Sequence, residues 1–195
     1  PISGLSNLPT ILSTGMANLD EIGQSLKFIA FGYGLSNGIV EAGTKPSQAE
    51  LEKVWADDRV QQILLEKVTV LHCTTQYPAE LDILNLKAIQ VIADRFGLPV
   101  GYSDHSLGTL ASVVAVSLGA TVIEKHFTLD KTMEGPDHSA SLDPQELGEL
   151  VRLIRDASTA LGEPVKECQP IEVSNRAAVR RSLVATKPIK AGEVI

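Results

Sequence analysis

His105 and His126 each close a short apolar run, in "GYSDHSLG" and "VIEKHFT", with an alanine-rich helical segment between them. They stand 21 residues apart, about one strand-and-helix repeat, so in adjacent parallel strands both side chains could point into one cavity. Imidazole suits manganese, iron, cobalt or zinc, and two protein nitrogens leave the other positions of such an ion to water and substrate oxygens. That describes a Lewis acid rather than a structural clamp. The same spacing also fits a histidine capping a helix and a satisfied polar residue at a strand end.

Four strand-then-helix units carry these residues. "TILSTGM" (Thr10 to Met16) precedes "ANLDEIGQSLKFIA", whose Leu19, Ile22, Leu26 and Ile29 recur at helical spacing. "VTVLHCT" (Val68 to Thr74) precedes a helical stretch from Leu81 that stops at Gly97, a C-cap residue. "PVGYSD" precedes a helix that Gly119 ends, and "ATVIEKHF" (Ala120 to Phe127) precedes "DPQELGELVRLIRDASTALG". Apolar strands alternating with helices predict a parallel sheet covered by helices, either doubly wound or a (β/α)8 barrel. In both, chemistry collects at the strand ends. The polar residues of all four units fall there: Ser13 and Thr14; His72, Thr74 and Thr75; Ser103, Asp104 and His105; Glu124 and His126. A barrel needs about 250 residues, so on that reading four units are half of one, with two open sheet edges.

Two stretches break the pattern. "FGYGLSNGIVEAGTKPSQ" (Phe31 to Gln48) reads as a mobile glycine-rich loop, followed by a helical stretch to Glu66. "RRSLVATKPIKAGEVI" (Arg180 to Ile195) alternates as a strand does and ends in a turn at Ala191 and Gly192.

Composition narrows the function classes. With 195 residues, 44% of them hydrophobic, the chain can bury a core. A formal charge of -7 without a basic run argues against nucleic acid. No apolar run approaches a membrane span and no signal peptide is evident, so a cytoplasmic location is expected. Cys73 and Cys168 show no CxxC spacing and are expected to be free thiols.

"LHCTTQYPA", "GYSDHSLG", "GATVIEKHFTLDKTMEGPDHSASLDPQEL" and "RRSLVATKPIKAGE", in that order, resemble the sialic acid synthase family, the phosphoenolpyruvate-dependent synthases of N-acetylneuraminate and related nonulosonates. The resemblance implies an α/β fold: the C-terminal half of a TIM (β/α)8 barrel followed by the start of a small antifreeze-like (SAF) β-rich domain. The corresponding boundaries are a partial barrel over 1–166, a linker over 167–181 and the small domain from 182 to 195. It further implies a transferase that joins phosphoenolpyruvate to an N-acetylmannosamine-type aldehyde, giving a nine-carbon 2-keto acid and phosphate. Manganese or magnesium would sit on His105 and His126, and because both imidazoles must be neutral to bind it, activity would fall on acidification. The working form would be a domain-exchanged homodimer.

Other roles follow from the same resemblance. Ser13 and Ser103 resemble phosphoenolpyruvate contacts, each preceding a helix whose free N–H groups favour an anion. Thr75 occupies a position where some members carry an asparagine contact. Tyr77 resembles a residue of the sugar cavity, and Asp137 the carboxylate that holds sugar hydroxyls. Apart from the resemblance, His72, inside a strand, is expected to be packed or to support the site rather than to be a ligand, Asp104 and Glu124 to orient the histidines or the substrate, and His138, next in sequence to Asp137, could simply face solvent. The family's lysine for phosphoenolpyruvate, its glutamates and its partner-reaching arginine have no counterpart here, so the segment by itself is expected to be a poor catalyst or none. Another phosphoenolpyruvate aldol-type synthase, of the octulosonate phosphate class, and a non-catalytic sugar-binding fragment are the alternatives.

Overall fold

The computed structural model describes residues 2–194, in two compact units that divide after Leu161. Pro1 and Ile195, the latter the last residue of the expected small domain, lie outside the described residues. The first unit is built on a four-stranded sheet whose spatial order is its chain order: β1 (Thr10–Ser13), β2 (Val68–Cys73), β3 (Val100–Asp104) and β4 (Ile123–Lys125), all parallel. That order decides between the two predicted architectures. A doubly wound sheet reverses direction at a switch point, whereas an unbroken sequence of right-handed crossovers lays every helix on one face. The sheet is therefore a parallel half-barrel, with one edge of β1 and one of β4 unpaired among the described residues.

Among the described residues the first unit adds seven helices, α1 (Ile2–Leu5), α2 (Leu19–Ser36), α3 (Gln48–Trp55), α4 (Asp58–Lys67), α5 (Ala88–Phe96), α6 (Leu110–Ser117) and α7 (Pro144–Leu161), and the second unit has α8 (Val173–Val179). Asn18 starts α2 with a capping box: its side chain accepts from the Asp20 and Glu21 N–H groups, and Glu21 accepts from the Asn18 N–H. The stretch expected as a mobile loop is helical as far as Ser36, because Phe31 and Tyr33 are fully buried and hold the backbone in α2, and beyond it the Ile39 and Val40 N–H groups bond back to the Gly34 carbonyl. Burial overrides the helix-weakening glycines there. The helical stretch after Gln48 is two helices, and the one before Gly97 is short, because Asn85 adopts φ +45 and only Ala88 onward is helical. Gly97 caps α5 at φ +65, as the sequence predicts.

Alternation along each strand sorts the side chains. Val68, Val70, Val100 and Tyr102 turn to the helices and form the core with Ile22, Leu26, Ile89 and Ala115. His72 belongs to this side: it stacks on Tyr102 at 5.8 Å and its Nε2 lies 2.7 Å from the Leu84 carbonyl, so it is packed as expected. The buried Tyr102 hydroxyl has no hydrogen-bond partner, and burial, with the Asp104 charge beside it, pushes its pKa well above the ordinary phenol value.

The opposite face carries Ser13, Leu71, Cys73, Gly101, Ser103 and Glu124. Gly101 is required by closeness: a Cβ there would sit 2.5 Å from Leu71 Cδ2 and 2.5 Å from the Val122 carbonyl oxygen. The leucine can turn but the backbone cannot, so Gly101→Ala is expected to destabilise the chain by about 1–3 kcal/mol, read as a lowered urea midpoint.

The second unit holds a short turn at Pro170–Glu172 and α8. From Arg180 to Val194 no strand forms, although the alternation predicts one; the stretch has no neighbouring strand among the described residues with which to share a ladder. The turn at Ala191 and Gly192 is present, with Gly192 at φ +87. Both cysteines are free. Among the described residues no helix is long and apolar enough to cross a membrane.

Candidate functional site

The carboxyl ends of β3 and β4 bring His105 and His126 together, their ring centroids 5.4 Å apart and their planes at 86°. Two neighbouring segments close over them. After β2 the chain passes, in parallel, beside the segment that follows β3, where the Ala79 N–H donates to the His105 carbonyl at 2.9 Å. This places Tyr77 over His105 at 4.2 Å and beside His126 at 5.5 Å. After β4, Leu142 donates its N–H to the His126 carbonyl and Thr128 donates its N–H to Leu142, each at 2.9 Å, pinching the loop between them at its base. Asp143 caps α7 at the end of that loop by accepting from the Gln145 and Glu146 N–H groups. Inside it, Thr128 lies 2.8 Å from His138 Nδ1 while giving its own proton to the Asp130 carbonyl. The fold of this loop delivers Asp137 to the site, its Oδ2 lying 4.0 Å from His126 Nδ1.

Between Tyr77, His105, His126 and Asp137 is a cavity of about 20 Å³, room for one water-sized group. It shares His126, Pro136 and Asp137 with a larger cleft of about 390 Å³ that Phe127, His138 and Ser141 also line. Burial, reinforced by negative charge on Asp137 and Glu124, pushes the Tyr77 hydroxyl above its ordinary pKa, so at neutral pH it remains a hydrogen-bond donor.

His105 shows how a cation would fit. Its Nδ1 lies 2.9 Å from the Thr74 carbonyl oxygen, which can only accept, so the ring proton is on Nδ1 and Nε2 presents a lone pair. Ser103 Oγ lies 3.3 Å from that Nε2, but its hydroxyl hydrogen goes to Glu124 Oε1 at 2.6 Å. In the neutral ring two lone pairs therefore face each other, an arrangement that an electron-poor partner relieves. At an imidazole–metal distance of about 2.1 Å, rings 5.4 Å apart can share one ion. Among the described residues no group of three or more His, Cys, Asp or Glu is placed to hold a metal, so the protein would contribute two nitrogens and leave the rest of the coordination sphere to water and substrate.

The expected residues do not all meet. His105, His126, Tyr77, Ser103 and Asp137 converge, whereas Ser13 is exposed at the end of β1 and Thr75 lies against Gly15, and neither lines the two cavities. Glu124 reaches His105 through Ser103, in keeping with an orienting role. Asp104 does not touch either imidazole: its carboxylate is buried against Ser106, Ser112 and Lys125, because alternation turns it to the helix side. Lys125, Ser106 and Pro136, which line the small cavity, escaped the sequence reading. Lys125 had a signal, since it precedes His126 as Asp104 precedes His105.

The NeuB family model matches residues 4–166. The chain is 46% identical over 188 residues to N,N'-diacetyllegionaminic acid synthase of Campylobacter jejuni, covering 96% of this chain and 48% of that protein. It is 46% identical over 126 residues to N-acetylneuraminate-9-phosphate synthase of Mus musculus, covering 64% and 35%. It thus spans about half the length of the curated relatives it matches. The crystal structure of N-acetylneuraminic acid synthetase from Leptospira borgpetersenii superposes with a TM-score of 0.66 at 30% identity, covering 92% of this chain and 53% of that one.

Proposed function

We propose that this chain, which belongs to the NeuB family of sialic and nonulosonic acid synthases, carries the metal-holding and sugar-holding side of a site that joins phosphoenolpyruvate to the open-chain aldehyde of an N-acylated amino sugar. The observation that carries the reading is the pair of imidazoles with ring centroids 5.4 Å apart, one with its Nδ1 held by the Thr74 carbonyl and its Nε2 turned to Ser103. His105 and His126 would hold manganese or magnesium. Bound there, the cation would stabilise negative charge developing on the aldehyde oxygen as the new C–C bond forms.

The chain's own groups do the rest of the positioning. Thr74 keeps the His105 proton on Nδ1, and Glu124 holds Ser103 beside Nε2. Tyr77 walls the site and keeps a hydroxyl proton to donate. Asp137, beside His126 and at the mouth of the larger cleft, would accept from sugar hydroxyls. Ser13 and Ser103 would take the phosphoenolpyruvate anion, Ser103 by turning its hydroxyl away from Glu124. A diacetylated nonulosonate is the favoured product, from the names of two relatives that align over 96% of this chain. The antifreeze-like domain and the exchanged homodimer, which rest on the family resemblance alone, and the cytoplasmic location expected from the sequence complete the proposal.

Calorimetric titration of the chain tests the reading: first with manganese, then, in manganese, with N-acetylmannosamine and with 2,4-diacetamido-2,4,6-trideoxymannose. Saturable manganese binding followed by manganese-dependent sugar binding is expected. Absence of both overturns it.

A further inference from the structure

Each histidine is preceded by a charged residue, and the two charges meet. The register pairs Asp104 with Lys125, and Lys125 Nζ lies 3.0 Å from Asp104 Oδ2, the side chains being 4% and 0% exposed. Charges withdrawn this far from water are stable only where their other hydrogen-bonding capacity is filled. It is filled here. Asp104 Oδ1 accepts from the Ser106 N–H at 2.9 Å and the Ser106 hydroxyl at 2.7 Å, and Oδ2 accepts from the Ser112 hydroxyl of α6 at 2.5 Å. Lys125 Nζ donates to the Ser106 carbonyl at 2.5 Å. The cluster therefore grips the chain on both sides of His105 and immediately before His126.

We propose that this buried ion pair is a positioning device that sets the register of β4 against β3 and so the distance between the two imidazoles. The inference rests on reading His105 and His126 as a shared metal site. The need for such a device follows from β4 itself, a strand of only three residues, Ile123–Lys125, which among the described residues pairs with β3 alone, so that its short ladder specifies register weakly. A slip of one residue would turn His126 to the helix side, and a slip of two would move it by about 6.6 Å, beyond the reach of an ion on His105. Sliding β4 by either amount would also separate Lys125 from Asp104 and leave both buried and unpaired. Fixing register is the best-attested use of buried charge, and here the registered object is the pair of ligands.

The test is the 195-residue chain with Asp104→Asn and Lys125→Met together, which removes both charges and nearly keeps their volume. Two quantities are read: manganese affinity, from the free-ion electron paramagnetic resonance signal, and hydrogen exchange of peptides covering 121–127 relative to those covering β1 and β2. The variant is expected to melt cooperatively yet bind manganese about 10- to 100-fold more weakly, with exchange accelerated selectively in 121–127. A lower melting temperature with wild-type manganese affinity and wild-type 121–127 protection would mean a merely structural pair and overturn the proposal. If the unaltered chain binds no manganese, the metal reading fails, and the exchange comparison alone decides the register claim. Should the double variant not fold, Ser112→Ala, which removes one bond to Asp104, decides it: selective loss of 121–127 protection supports the device, and unchanged protection overturns it.

Discussion

His126→Ala is expected to weaken manganese binding by more than about 100-fold while leaving the fold intact. Substitutions that only disturb a ligand's partners lower metal affinity by about 10- to 100-fold, and here one of two protein ligands is lost outright. Stability should move little, within about 0.5 kcal/mol, because the His126 side chain is 35% exposed and stands outside the apolar core. Its carbonyl, which accepts from the Leu142 N–H, is kept by alanine. The measurement is the free manganese signal on titration with protein, beside a thermal melt. Undiminished affinity would place the ion elsewhere, and a collapsed melt would show that His126 is structural.

The shared placement of His105 and His126 was legible because parallel strands in sequential order repeat their geometry: residues one unit apart reach the same level on neighbouring strands. The architecture was legible only to a pair of alternatives, since strand-and-helix alternation does not encode strand order. The order became evident from contacts that no local pattern records, such as Ser13 beside Leu71 and Ser103 beside Glu124. Phe31 and Tyr33 show the opposite failure. Their glycine-rich surroundings read as a loop, yet each ring is buried in the core, and burial is a property of the whole fold.

Within the site, period-two alternation separates residues that proximity in sequence groups together. Asp104 and Glu124 look equivalent as carboxylates near a histidine, but Glu124 shares the face of Ser103 while Asp104 shares that of Tyr102. One carboxylate therefore reaches an imidazole through a serine, and the other binds α6 and Lys125. Counting from each histidine along its strand would have shown this, and would also have shown Asp104 and Lys125 to be equivalent positions of opposite charge. The convergence of Tyr77 and Asp137 depends instead on two loops fastened to strand ends by backbone bonds, which residue types do not specify.

Asp137→Asn is expected to weaken sugar binding by about tenfold or somewhat more, and manganese binding by much less. The Asp137 backbone is fixed independently of its carboxylate: its carbonyl accepts from the Ala140 and Ser141 N–H groups and from the Ser141 hydroxyl at 2.7 Å. Asparagine keeps the shape, so the substitution tests charge alone. A hydrogen bond to a charged group contributes roughly 1.5–3 kcal/mol, and each 1.4 kcal/mol is about tenfold in affinity. Because the carboxylate is 53% exposed and screened by water, the lower end applies. His126 Nδ1 lies 4.0 Å away, so loss of the negative charge should also reach the ion through His126, but only as a partly screened Coulomb effect. The two roles separate on titrating the variant with manganese alone and then with sugar at saturating manganese. A large loss in the second titration only assigns Asp137 to the sugar, whereas equal losses in both would make it a support of the metal site instead.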